Sequence, residues 1–264
     1  MSLRINNNIE AFNAHRQLTA TSNNVQKSME RLSSGSRINR AADDAAGLAI
    51  SEKLRGQIRG LSQAQRNAQD AVSLVQTAEG SLNEVHSMLQ RVRELAVQYK
   101  AGTLSDSDKA AITAEANQLM SEIERIGNGA EFNGIKVQNG ETTITFQVGA
   151  NDADSSITVS TKDLKATIGT ISVDTTAIST IDKAIEDVSS LRGTFGAVQN
   201  RLEHTLGNLA TYQENLMASE SRIRDVDMAS EMVEFSKNQI LQQAGTSMLA
   251  QANQAPQGVL SLLR

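Results

Sequence analysis

Cysteine and tryptophan are absent from this 264-residue chain, which also has one proline, two tyrosines and five phenylalanines. Without cysteine there are no disulfides, no thiol catalysis and no thiolate metal sites. So few aromatic side chains leave a compact globule without its bulkiest anchors. A single proline leaves long helices uninterrupted. A dominant charge is missing too: 25 basic against 30 acidic residues give −5, with the two signs interleaved. No clustered basic face is offered to nucleic acid, so no nucleic-acid partner is expected. Runs of about 18 apolar residues, the length that spans a bilayer, do not occur, so no membrane insertion is expected. The stretch 1–18 is too polar for the apolar centre of a cleavable leader.

What the chain has is a seven-residue apolar repeat near each end, with none between. Toward the N-terminus one seam runs Leu54, Leu61, Ala68, Val75, Leu82, Leu89, Ala96. A companion runs Gln57, Ala64, Ala71, Ala78, Val85, Val92, Tyr99. Toward the C-terminus the seams are Ile181, Val188, Phe195, Leu202, Leu209, Leu216, Ile223 and Ala184, Leu191, Val198, Thr205, Tyr212, Ser219, Val226. A sustained heptad predicts supercoiled helices, because only a supercoil keeps such a seam facing its partner. The fold class is therefore mainly α, a long antiparallel coiled-coil rod built by the N- and C-terminal segments, with a small β-hairpin region in the middle. Alanine-rich seams allow close approach but bury less area per residue, which predicts an interface tolerant of sliding.

The remaining segments follow from local signals. A first helix is predicted over about Leu3–Leu32, stopped by Ser33-Ser34-Gly35. Residues 36–47 are expected as an extended connector, with Asp43 and Asp44 capping a helix that runs to about Lys100. Ser105-Asp106-Ser107-Asp108 carries a capping-box pattern for a helix ending at Gly127-Asn128-Gly129. Strands are predicted at Phe132–Val137, Thr142–Val148 and Ile157–Thr161, the first two joined as a hairpin at Asn139-Gly140. From Asn238 to Leu263 there is no charge, yet Gln, Asn and Ser recur; such a helix suits packing among copies of itself. Pro256 and Gly258 are expected to end it. The domains expected are 1–46, an N-terminal arm and connector; 47–180, with the β segment at about 130–165; 181–226; and 227–264, a C-terminal arm.

No catalytic constellation emerges, and neither enzyme activity, cofactor nor metal is expected. His15, His86 and His204 lack metal-ligand spacing. Asp43 and Asp44 are adjacent, so they point to different helix faces and suit caps better than acid–base work. The Ser- and Thr-rich stretches 142–161 and 170–180 could accept O-linked glycans or stay a plain polar surface.

Several motifs carry a family resemblance. Ile5-Asn6-Asn7-Asn8-Ile9, Arg31-Leu32-Ser33-Ser34-Gly35 with Arg37-Ile38-Asn39, and residues 43–50 (DDAAGLAI) resemble the N-terminal regions of bacterial flagellins. Residues 239–254 (QILQQAGTSMLAQANQ), Ala255-Pro256-Gln257 and residues 259–264 (VLSLLR) resemble the flagellin C-terminus. Phe132-Asn133-Gly134-Ile135-Lys136-Val137 and residues 147–151 (QVGAN) are similar to that family's β segment. The gap before the C-terminal heptads is short, so the chain looks like a minimal flagellin without projecting outer domains.

The resemblance implies a structural subunit that polymerises into the flagellar filament; the alternative is a hook–filament junction protein of similar terminal design. It implies an inner tube packed through Ile5, Ile9, Phe12, Leu18, Ile240, Leu241, Met248, Leu249, Leu260 and Leu263, with the heptad segments as the rod around it. The implied partners are further copies of the chain, the filament cap and hook–filament junction proteins, and a cytoplasmic export chaperone at the C-terminal arm. The implied location is extracellular, reached by the flagellar type III route. In enteric flagellins the segment matching residues 90–98 binds the vertebrate Toll-like receptor for flagellin; the matching positions are Arg91, Leu95 and Glu115. An arginine four residues beyond that glutamate in the enteric proteins is Leu119 here. The plain alternative is a solvated helix face with local ion pairs. Each arm alone has too little apolar surface to offset the entropy of ordering it, so the arms are expected to become helical only when neighbouring subunits cover them.

Overall fold

The computed structural model describes residues 7–140, 143–151, 155–164, 168, 171 and 178–262, with side chains described through Gln254. The chain forms two compact units, one of Met1–Gly56 with Leu216–Arg264, the other Gln57–Asn215. We call these the terminal and the central unit.

In the terminal unit, α1 (Ile9–Ser34) packs along the C-terminal helix α5 (Met228–Leu262). Asn8 caps α1, its side chain accepting from the Ala11 amide at 3.0 Å. Gly35 ends it in the left-handed conformation (φ 70°), its amide returning to the Arg31 carbonyl. A residue with a Cβ would be strained there. The helix begins at Ile9 after the Asn8 cap; the start expected near Leu3, and Ile5 with it, lies outside the described residues. The connector that follows is turned and stapled rather than extended. Ser36 pairs with Asp225, the Arg37 amide donates to the Arg224 carbonyl at 2.6 Å, and the Val226 amide donates to Gly35 at 3.0 Å. Ile38 is buried beside this staple. Of the two expected cap residues, Asp44 caps α2 (Ala45–Tyr99) through the Gly47 amide, whereas Asp43 binds the amides of Asn39 and Arg40.

The end of α5 also departs from expectation, because the helix continues through Pro256 to Leu262. Proline gives no amide to the carbonyl four residues back, Ala252. That carbonyl instead accepts from the Asn8 side chain at 2.7 Å. The lost bond is replaced from the neighbouring helix, so the helix need not stop.

The central unit is organised by the heptads. Leu61, Ala64, Ala68, Ala71, Val75, Ala78, Leu82, Val85, Leu89, Val92 and Ala96 on α2 are all buried. From Ala68 onward they share a core with Ile181, Ala184, Val188, Leu191, Phe195, Val198 and Leu202 of α4 (Ile178–Arg224). Arg93 bonds Asp182 and Arg192 bonds Glu79, so the numbering falls on one helix as it rises on the other and the two are antiparallel. Between them in sequence, α3 (Asp106–Gly129) opens with the expected capping box of Ser105 and Asp108 and buries Ile112, Ala116 and Ile123.

Four strands form two separate hairpins among the described residues: β1 (Glu131–Phe132) with β2 (Ile135–Lys136), and β3 (Thr143–Gln147) with β4 (Ser156–Ser160). Among the described residues the hairpin expected at Asn139-Gly140 is not formed, since β2 pairs with β1 and β3 with β4. The tight turn is Asn133-Gly134, both at positive φ (50° and 78°), as a two-residue turn of the favoured hand requires. At Asn139 the chain is committed elsewhere. The Gln138 side chain is 1 % exposed and donates to the Ala78 carbonyl on α2 at 3.0 Å, and the Gln138 carbonyl accepts from Leu164. Gln138 is thus tethered into the core, and the segment before it pairs with β1 while β3 pairs with β4. The second hairpin is tied to α2 through the Asn67 side chain, which donates to the Gln147 carbonyl at 3.0 Å.

Candidate assembly and recognition surfaces

The two units bury different things. The central unit buries heptad seams of Leu, Val, Ile and Phe. In the terminal unit the fully buried residues of α1 are Thr21 and Ser28, and on α5 Asn238 is the one buried residue among the described side chains. Many large apolar residues of these helices are exposed instead. Phe12 is 72 % exposed, Ile240 66 % and Met248 64 %, and Ile9, Leu241, Met232 and Val233 are also exposed. Leu18 and Leu249 are half-buried, and Leu18 lies over Gly245 of α5. Leu263 lies outside the described residues, as does the side chain of Leu260.

Of the expected rod seam, Leu61, Val75, Leu82, Leu89, Val188, Phe195, Leu202 and Leu209 are buried. Leu54, Leu216 and Ile223 are half-buried and belong to the terminal unit. The seam fades toward the end of α4, where Tyr212 is exposed.

Around the buried Ile38, polar and charged contacts tie the connector of the terminal unit to its helices. The Arg37 guanidinium donates through Nη2 to the Ile223 carbonyl at 2.7 Å, which closes an open helix end. Arg224 reaches Glu52 at 2.7 Å, and this hydrogen bond holds the Glu52 carboxyl below its ordinary value. Lys27 meets Asp43 at 2.9 Å. That bond, with the Arg40 amide, lowers the Asp43 pKa to about 2.

On the central unit, Arg91 of α2 and Glu115 of α3 are both exposed and bonded to each other, and Glu94 joins from the next turn. The Glu115 carboxylate, then Glu94, raises the Arg91 pKa above its ordinary value. Leu95, expected on the same surface, is 1 % exposed and belongs to the core. It underlies the Arg91 face and does not form part of it. Leu119 is half-buried against that core.

Three elements escaped sequence reasoning. Gln138, the Arg37 cap and the Asn8 bond to Ala252 all join residues more than fifty positions apart. None carries a periodic or spacing signal, so no local pattern could reveal them.

The sequence and the fold both have counterparts among known proteins. The model of the bacterial flagellin N-terminal helical region matches residues 5–143, and that of the C-terminal helical region matches residues 178–263. Flagellin of Halalkalibacterium halodurans is 53 % identical across 98 % of this chain and 99 % of its own. Flagellin of Bacillus subtilis is 50 % identical across 99 % and 100 %, and the 33 kDa flagellar filament core protein of Treponema phagedenis 49 % across 98 % and 99 %. The crystal structure of Bacillus cereus flagellin superimposes with a TM-score of 0.50 at 33 % identity, covering 55 % of this chain and 88 % of that one. Matched end to end in both helical regions, with only residues 144–177 between them, this chain belongs to the bacterial flagellin family, in a minimal form.

Proposed function

We propose that the chain is the structural subunit of a bacterial flagellar filament, polymerising with copies of itself to make the propeller of swimming motility. The observation that carries this reading is the inverted burial of the terminal unit, with polar Thr21, Ser28 and Asn238 inside and Phe12, Ile240 and Met248 outside. Apolar rows of that kind gain stability only when another molecule covers them. Flagellins are structural proteins, and the chain is not an enzyme. Relatives named flagellin at about half identity over the whole length favour the filament subunit over a hook–filament junction protein.

Finer assignments rest on family membership. The arms, 1–46 and 227–264, form the inner tube of the filament, and the heptad segments 47–180 and 181–226 form the rod around it. The subunit leaves the cell by the flagellar type III route to an extracellular filament; a chain without disulfides and with few aromatics suits passage in an unfolded form. In the described residues no helix is long and apolar enough to cross a membrane. Filament cap and junction proteins contact the polymer ends, and an export chaperone covers the C-terminal arm, with its uncharged stretch 238–263, before assembly. The exposed Arg91–Glu115 pair, supported from below by Leu95, is the contact for the vertebrate Toll-like receptor.

The test is seeded growth. Purified protein mixed with sonicated filament fragments should elongate them into long tubes under the electron microscope. Protein that stays monomeric on such seeds would remove the filament reading.

A further inference from the structure

We infer that Asn8 is the positioning residue that allows Pro256 to sit inside the C-terminal arm helix, so that the tips of the two arms order as one event. The inference rests on the filament reading above and adds a coupling between residues at opposite ends of the chain.

One side chain closes two open helix bonds. Its Oδ1 accepts from the Ala11 amide at 3.0 Å, supplying the first turn of α1 with an acceptor that the helix itself cannot provide. Its Nδ2 donates to the Ala252 carbonyl at 2.7 Å, the carbonyl that Pro256 leaves without an amide. The Asn8 main-chain carbonyl meanwhile accepts from Phe12 at 3.1 Å and begins the α1 ladder. Asparagine is the side chain suited to this task, because it offers an acceptor and a donor on one planar group. Serine or aspartate would cap α1 equally well, but an ionised aspartate has no hydrogen to give. Without Nδ2 the Ala252 carbonyl is half-buried and unanswered, and α5 has less reason to continue past the proline. Conversely, until α5 is in place the Asn8 amide has lost one of its two partners. Each arm tip therefore favours the other, and uncharged residues 255–262 of the helix extend only once α1 has started.

The test is a cycle of full-length variants read as critical concentration, the monomer left in equilibrium with growing seeds. Asn8→Asp keeps the cap and removes the donor; it should raise the critical concentration about fivefold, the effect of one hydrogen bond. Pro256→Ala returns an amide to the Ala252 carbonyl, so in that background Asn8→Asp should change the value less than about twofold. An equal penalty in both backgrounds would reduce Asn8 to a cap and overturn the coupling, as would no penalty in either. Melting of the Gln57–Asn215 unit, whose core neither residue enters, checks that each variant is folded. If the unaltered protein fails to elongate seeds, the filament reading fails first. The same cycle read on monomers, as exchange protection of the Ala11 amide, then decides the coupling alone.

Discussion

The Arg91 guanidinium donates twice to a single carboxylate oxygen of Glu115, from Nε at 3.0 Å and from Nη2 at 2.8 Å. The two residues come from different helices, α2 and α3, and both remain exposed. A pair of this kind orients a guanidinium at little energetic consequence, because water competes for both partners. It holds in place the polar side chains that a receptor would meet.

Removing Arg91 should therefore separate recognition from stability. Arg91→Ala is expected to leave the melting temperature of the central unit unchanged, since the core beneath it, including Leu95 and Val92, is untouched. Signalling through the Toll-like receptor by the purified monomer should fall about tenfold or more, the loss typical of truncating a central interface arginine. Undiminished potency would return the Arg91–Glu115 pair to an ordinary solvated helix face.

A second prediction concerns acid. Asp43 is held at about 2, below its ordinary 3.8, first by the Lys27 hydrogen bond and then by the Arg40 amide. A carboxylate lowered in the folded state stabilises the fold fully above its unfolded pKa, and that contribution disappears as pH falls through the folded value. The contribution is thus present at neutral pH and is lost between about 4 and about 2. Asp43→Asn should melt lower than the unaltered protein at neutral pH, and the two melting curves should converge by about pH 2. A difference that persists undiminished at that pH would place the role of Asp43 in the shape of its turn rather than in its charge.

How far the fold was legible depends on whether its cause was local. The heptads announced the central core because period seven forces a continuous face, and Leu82, Val85, Leu89 and Val92 are completely buried as that spacing demands. The same rule missed Leu74 and Leu95, each one residue before a seam position and each buried. They are covered because the core also takes in α3 and the hairpins, so α2 buries a wider stripe than a two-helix seam. The β segment shows the limit differently. Asn133-Gly134 and Asn139-Gly140 are the same dipeptide, and among the described residues only the first joins two paired strands; the second follows Gln138, whose side chain is held by Ala78, sixty residues away. The surfaces were legible as composition, since an uncharged, Gln-rich stretch such as 238–263 must be covered by something. The partners of individual side chains were not, and Leu95 belongs to the core because helix rotation, not sequence distance, sets which face a residue takes.

The contrast between the units is tested most sharply by two phenylalanines. Phe195 is completely buried at the seam of the central unit, whereas Phe12 of α1 is 72 % exposed. Phe195→Ala should cost ~3–5 kcal/mol through lost burial and the cavity left behind, lowering the melting temperature of the monomer by roughly 10 °C. Phe12→Ala removes a side chain that touches mostly water in a lone molecule, so the monomer should melt within about 1 °C of the unaltered protein. In the filament the order reverses. Covering Phe12 with a neighbouring subunit should contribute about 1.5–3 kcal/mol, so its truncation should raise the critical concentration for seeded growth by about tenfold or more. A Phe12 variant that elongates seeds as readily as the unaltered chain would show that the outward row of α1 is not what the polymer buries, and the inner tube would have to be built from another face.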